Sequence, residues 1–136
     1  MADTIELEIV TPERQVVKDR VTEVQVPGRN GYLGILPGHA PLISELAIGE
    51  ITYTTGGGVS ERLFVAWGFV EVLPDRVTIL AQTAERAEDV DVPHAEAARE
   101  RAQQRLKEAE NTDQFDEAFH ALALAEARLD IAKRKQ

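Results

Sequence analysis

The chain has 136 residues, of which 43% are apolar and 29% charged, with a net charge of −9 and no cysteine. The length allows one ordinary domain, or a small domain with an appendage, and the acidic balance excludes nucleic acid and anionic lipid as principal partners, since both need a basic face. Disulfides and thiolate metal sites are excluded too; no apolar run approaches the ~20 residues that span a bilayer, and the start Met-Ala-Asp-Thr-Ile-Glu-Leu-Glu lacks the basic and apolar regions of a signal peptide.

The first part of the chain alternates with period two, the spacing at which side chains fall on opposite faces of a strand. From Thr4 to Val10, Ile5, Leu7 and Ile9 alternate with Glu6 and Glu8. Thr22 to Val26 sets Val24 and Val26 against Glu23 and Gln25. Ile51 and Tyr53, then Leu63 and Val65, flank Gly56-Gly57-Gly58, a loop able to take the positive φ of a hairpin. Phe69–Leu73 and Val77–Ala81 flank the turn Leu73-Pro74-Asp75-Arg76, where proline presets φ. Short, closely spaced strands with no helical pattern between them predict an antiparallel sandwich or barrel.

After about Ala84 the period changes. Ala95, Ala98, Ala102, Leu106 and Ala109 recur at steps of three and four, as one helix face does. A second stripe runs through Phe115, Ala118, Phe119, Leu122, Ala125, Leu129 and Ala132. Asp91 is placed to cap the first helix and Pro93 falls in its first turn. Asn111, Thr112 and Asp113 supply cap and turn chemistry between the helices, and so short a connection predicts antiparallel neighbours. Lys133, Arg134 and Lys135 sit where a helix C-terminus favours cations. The expected fold class is therefore α+β, with a β domain over 1–86 and a helical hairpin over 87–136. An alanine seam buries little surface, about 0.8 kcal/mol per methyl group, while alanine keeps each helix intact alone. That suits a mobile element; the same alanines equally permit close, permanent packing.

No catalytic constellation emerges, and the chain is expected not to be an enzyme. His39, His94 and His120 show no metal-ligand spacing, so no metal is expected. No Gly-Lys-Ser/Thr follows the glycine triplet, and neither Ser44 nor Ser60 has a nucleophile-elbow setting. The informative stretch is Gly31-Tyr32-Leu33-Gly34-Ile35-Leu36-Pro37-Gly38-His39-Ala40-Pro41-Leu42. It reads as a strand bounded by glycine turns, a Pro-Gly turn and a return into an apolar segment.

That string resembles the signature of the ε subunits of bacterial F-type ATP synthases. The likeness covers the whole chain, through Ile9-Val10-Thr11-Pro12-Glu13, Gly68-Phe69-Val70-Glu71-Val72, Val77-Thr78-Ile79-Leu80-Ala81, Asp91 and Arg101-Ala102. Trp67 departs from it, standing where the family often has glycine or another small residue.

The resemblance implies an N-terminal β-sandwich that binds γ and rests on the c-ring, followed by an antiparallel two-helix hairpin with a regulatory role. It places c-ring contact at Arg29, Asn30, Gly31 and Tyr32, with tyrosine where relatives often carry an acid. It places γ contact around His39, Ala40, Pro41 and Leu42. The hairpin is expected to alternate between a compact state and one extended into the catalytic head that resists hydrolytic rotation. Arg99, Arg101, Arg105, Arg128, Lys133, Arg134 and Lys135 would then face an acidic segment of the β subunit within the α/β head. The implied location is peripheral, on the cytoplasmic face of the bacterial inner membrane, with the thylakoid as the alternative and no direct membrane insertion.

Some members bind ATP on the folded hairpin as a regulatory ligand. Glu85, Asp91, Arg101 and Arg128 match that motif, whereas His94 and Leu124 replace two of its arginines. Neutral histidine and leucine lack arginine's bidentate fork for phosphate, which predicts weak ATP binding or none and no resident cofactor. The rival reading is a free-standing binding module that dimerises through the alanine face.

Overall fold

The computed structural model describes residues 3–133. Seven strands are followed by a 3₁₀ turn and two helices: β1 (Ile5–Val10), β2 (Gln15–Gly28), β3 (Gly31–Ile35), β4 (Leu42–Leu46), β5 (Gly49–Thr55), β6 (Ser60–Leu73), β7 (Arg76–Arg86), the turn Ala87–Asp89, α1 (Val92–Glu108) and α2 (Thr112–Lys133). The chain divides into two compact units between Arg86 and Ala87. Arg134 and Lys135 lie outside the described residues.

In the β unit the alternation sorts side chains by face. Ile5, Leu7 and Ile9 of β1 are completely buried, and so are Val77 and Ile79 of β7. They join Val21, Val24, Val26, Ile35, Ile51, Leu63, Val65, Val70 and Val72 in one core. Each fully buried aliphatic side chain contributes about 1.5–3 kcal/mol before the entropy of ordering is set against it. Following the pairings β1–β7–β6–β5–β2 leads back to β1, so the unit closes on itself. Closure leaves few open edges to pair with other chains.

The two 14-residue strands make closure possible by changing partners along their length. β2 pairs first with β1, then with β5, then with β3. β6 pairs with β5 as far as Val65 and with β4 from Gly68 onward, while β7 follows its other edge. Strands that switch sheets need a bend at the corner. On β6 that bend is Trp67-Gly68, both with positive φ, at 57° and 134°. The pair β1–β7 is parallel, whereas the other ladders are antiparallel.

The turns follow their chemistry. Gly58 takes the positive φ of the β5–β6 hairpin, at 89°. Pro74 and Asp75 connect the Leu73–Arg76 pair that closes β6 on β7. Gly31, at φ 130°, closes the β2–β3 turn opposite Gly28.

In the helical unit, Asp91 caps α1 by accepting a hydrogen bond from the His94 backbone N–H at 3.1 Å, and Pro93 sits in the first turn. Asn111 caps α2 through Gln114 N–H at 2.8 Å, and Gln114 reaches back to accept from Glu110 N–H at 2.8 Å. α1 and α2 pack on each other across a three-residue connection, so they run antiparallel. Ala95 and Ala102 on α1, with Ala118, Ala125, Leu129 and Ala132 on α2, are buried. The stripe expected on α2 is narrower than its sequence suggests, because Phe115 and Phe119 are exposed and stack on each other 6.2 Å apart. Ala118 and Ala125 define the buried line. A residue three before or one after such a line falls on its flank, where a large ring stays outside the seam.

Candidate functional site

Outward positions of a sandwich strand are ordinarily polar. On one side of the β unit three of them are not, and the strand register joins them. Val10 of β1 lies opposite Leu80 of β7, and Leu80 lies opposite Phe69 of β6. Directly opposed outward side chains on paired strands touch, so the three form a continuous apolar row across three strands. Ile43 of β4 extends it, one step along from Glu45, the direct partner of Phe69. Phe69 and Leu80 are each 55% exposed and Ile43 71%. Single exposed apolar residues are unremarkable, whereas contiguous apolar patches are the kind of surface that partners cover.

The patch has relief as well as area. A groove of about 540 Å³ is lined by Val10, Thr11, Pro12, Trp67, Phe69 and Leu80 among others. A smaller depression of about 240 Å³ lies between Ile43, Phe69, Glu71, Thr78 and Leu80. Phe69 and Leu80 border both, forming a ridge between two hollows. In the adjacent row, Glu8 and Glu71 flank Thr78. The apolar surface is therefore edged by Glu71, by Glu8 opposite Lys18 of β2, and by Glu45, which pairs with Arg29.

The corner of β6 forms one end of the groove. Gly68 cannot be replaced there, because an added Cβ would come within 1.9 Å of the Leu80 carbonyl oxygen. Trp67 before it holds a left-handed backbone that glycine adopts freely and a bulky residue resists by about 1–3 kcal/mol. Its N–H donates to Ala47 O at 3.4 Å. The indole is half-buried and stands outside the core cluster.

The rim loop between β2 and β3 carries Arg29, Asn30, Gly31 and Tyr32, all exposed. It is firmly held. Arg29 N–H donates to Glu45 O at 3.1 Å and its guanidinium meets the Glu45 carboxylate at 2.7 Å. That ion pair is solvated on both sides and contributes about 0–1 kcal/mol. The Tyr32 hydroxyl accepts from Glu50 N–H at 3.1 Å, so the ring spans from β3 to the start of β5. Gly49 leaves room for it, since a Cβ there would sit 2.7 Å from that hydroxyl. Tyr32 therefore braces the loop.

His39, Ala40, Pro41 and Leu42 lead directly into the patch, for Leu42 opens β4 beside Ile43. His39 N–H donates to Leu36 O, and Nδ1 lies 2.7 Å from Ala40 O as donor. Gly38 N–H donates to Pro74 O at 2.8 Å, which ties this turn to the β6–β7 turn. Ile43, Phe69, Leu80, Val10 and Trp67 lie outside the contact segments singled out from the sequence. The signal was present, because Val10, Phe69 and Leu80 occupy the polar phase of their strands.

The remaining candidates are distributed differently. Glu85 is half-buried on β7 of the β unit, whereas Asp91, Arg101 and Arg128 belong to the helical unit. Asp91 is engaged as the cap of α1. Arg101, Arg105 and Lys133 are exposed, and Arg99 and Arg128 are half-buried. Arg105 lines a cleft of about 320 Å³ at the turn end of the hairpin together with Glu108, Glu110 and Glu117, an acidic setting that repels phosphate. Among the described residues no group of three or more His, Cys, Asp or Glu is placed to hold a metal, and no helix is long and apolar enough to cross a membrane.

Comparison with known proteins agrees with this architecture. Residues 4–87 match the family described as ATP synthase, Delta/Epsilon chain, beta-sandwich domain, and residues 88–133 match its long alpha-helix domain. An ATP synthase epsilon chain of Solibacter usitatus is 52% identical over 136 residues, covering 99% of this chain and all of the relative. One from Koribacter versatilis is 64% identical over 107 residues, 79% of this chain and 75% of that one. One from Syntrophobacter fumaroxidans is 46% identical over 134 residues, 98% of this chain and 99% of that one. In fold, the chain resembles a chain of the Euglena gracilis mitochondrial ATP synthase OSCP/F1/c-ring structure, with a TM-score of 0.85 at 21% identity over 98% of this chain and 84% of that one. It also resembles one from the Tetrahymena thermophila central stalk/c-ring structure, with a TM-score of 0.63 at 14% identity over 94% and 96% of the two chains. Two domains in the same order, matched over nearly the whole length, decide the assignment: the chain belongs to the delta/epsilon-chain family of ATP synthase subunits, among the epsilon chains of bacterial type.

Proposed function

We propose that the β unit is a non-catalytic coupling platform of the central stalk, gripped by γ on the Val10–Leu80–Phe69 face and meeting the c-ring at the Arg29–Tyr32 rim. The observation that carries this reading is the exposed apolar row on a closed, rigid sandwich. A rotor part must transmit torque without deforming. Closure of the sheet and the bracing of the rim by Arg29 and Tyr32 both supply stiffness. The partner-facing segment His39–Leu42 continues into the same face, so γ would span both.

The helical unit is the regulatory arm in this reading. Arg99, Arg101, Arg105, Arg128 and Lys133, with Arg134 and Lys135 beyond them, would meet an acidic segment of the β subunit in an extended state and oppose rotation in the hydrolytic direction. Each charge contributes little alone, but a few kcal/mol in sum shifts a balanced two-state arm almost completely. ATP binds this chain weakly or not at all, because His94 and Leu124 replace phosphate-reading arginines and Asp91 serves as a cap. The subunit sits peripherally on the cytoplasmic face of the inner membrane. The rival reading, dimerisation through the alanine face, lacks its surface, since Ala95, Ala102, Ala118 and Ala125 are already buried.

The test is a chain ended after Asp91, reconstituted with the rest of the synthase. It should bind γ as the full chain does, with ATP hydrolysis equal or higher. Loss of γ binding in the shortened chain would contradict the division of labour. Leu80→Glu in the full chain should abolish γ binding while leaving the fold intact. Titration calorimetry with ATP, comparing the native chain with Arg101→Ala, tests the nucleotide arm, and a strong Arg101-dependent heat at micromolar ATP would overturn weak binding.

A further inference from the structure

The chain holds two asparagines, Asn30 and Asn111, and the fold treats them in opposite ways. Asn111 caps α2: its side-chain carbonyl accepts from Gln114 N–H at 2.8 Å, and the residue after it, Thr112, is β-branched and opens the helix. Asn30 stands exposed at the tip of the β2–β3 turn, between Arg29 and Gly31. Among the described residues no partner holds its carboxamide. The space beside Gly31 where a side chain would stand is empty to 4 Å. The clamps on this turn act at Arg29 and Tyr32, on either side of the Asn30-Gly31 step. Gly31 opposite Gly28 is the last pair of the β2–β3 ladder, where local opening costs least.

We infer that Asn30 is a site of spontaneous covalent modification, where its side chain cyclises onto the Gly31 amide and reopens as isoaspartate or aspartate. The Gly31 backbone nitrogen attacks Asn30 Cγ. The N–Cγ bond forms, the Cγ–Nδ2 bond breaks, and ammonia leaves with the Gly31 amide proton, giving a five-membered succinimide. Water then adds to one of the two ring carbonyls. Addition at Cγ breaks the new bond and leaves aspartate. Addition at the backbone carbonyl breaks the original peptide bond and leaves the main chain running through Cβ and Cγ, as isoaspartate. One water is consumed, one ammonia is released, and nothing is oxidised or reduced. A side chain on the following residue would crowd the ring closure, and glycine removes that obstacle. Either product is ionised at neutral pH, so the turn tip gains one negative charge beside Arg29. Isoaspartate also lengthens the main chain by a methylene, which works against the Gly28–Gly31 pairing and the Tyr32 brace. If the rim meets the c-ring as proposed above, both changes fall on that contact; the chemistry itself does not depend on it.

The experiment incubates the full free chain in heavy-oxygen water at mildly alkaline pH, folded and in urea. Proteolysis and mass spectrometry then follow the two asparagine peptides. In the folded chain Asn30 should take up heavy oxygen and yield isoaspartate, which electron-transfer fragmentation separates from aspartate. Folding should slow the reaction of Asn111 at least about tenfold more than that of Asn30, the ratio that a barrier difference of about 1.4 kcal/mol gives. Asn30→Gln, which would have to close a six-membered ring, should remove the signal and keep the fold, since the position is exposed in a turn. Aspartate without isoaspartate at position 30 would mean direct hydrolysis and overturn the cyclic route. Protection of Asn30 by folding as strong as that of Asn111 would overturn the inference, because the turn would then be no more open than a helix cap.

Discussion

The β unit and the helical unit solve stability in opposite ways. The first buries Ile, Leu and Val between ladders that close on themselves, and its core is non-local: β1 meets β7 some seventy residues on. The second is nearly one-dimensional, two neighbouring helices joined through small alanine contacts and fixed at their ends by Asp91 and Asn111. A non-local closed core opens only as a whole, whereas a shallow seam opens locally at small cost. One chain can in this way carry a stiff part and a yielding part without a long linker between them.

That contrast can be broken at graded points. The largest effect belongs to Gly68→Ala, which drives a Cβ into the Leu80 carbonyl and should lower stability by about 4 kcal/mol in urea unfolding. A loss under about 1 kcal/mol would mean that the corner yields and the unit is less stiff than argued. Leu7→Ala, in the middle of the core, should cost about 3 kcal/mol through lost burial and the cavity left behind. In the helical unit, Asp91→Ala removes a cap and should cost about 1 kcal/mol, read as faster amide exchange in the first turn of α1 and not in β1 or β7. Equal acceleration in both units would show that they unfold as one. The smallest effect is expected of Phe119→Ser, within about 0.5 kcal/mol, because that ring is exposed and leaves the seam untouched. A loss like that of Leu7→Ala would restore the broad stripe suggested by periodicity.

Much of the architecture was legible before any coordinate. The alternation of Ile5, Leu7 and Ile9 gave β1 its inward face, and Asp91-Val92-Pro93 marked the start of α1, because both signals are local. The change from period two to period 3.6 located the two kinds of structure for the same reason. Phe115 and Phe119 misled, since a stripe drawn through every large apolar residue is wider than an alanine contact line can bury. The apolar face was half legible. His39–Leu42 lead into it along the chain, yet Val10, Phe69 and Leu80 each looked like an isolated exception to its own strand.

The sequence by itself determined what depends on neighbours along the chain: strand phase, turns at glycine and proline, helix caps, the order of the two units and the family. Only the tertiary structure decided that β1 runs parallel to β7, that β6 turns its corner at a strained tryptophan, and that three exceptions align into one apolar row. The reason is register. Which residues stand opposite each other is set by ladders linking distant segments, and a pattern read along one strand carries no record of its neighbour.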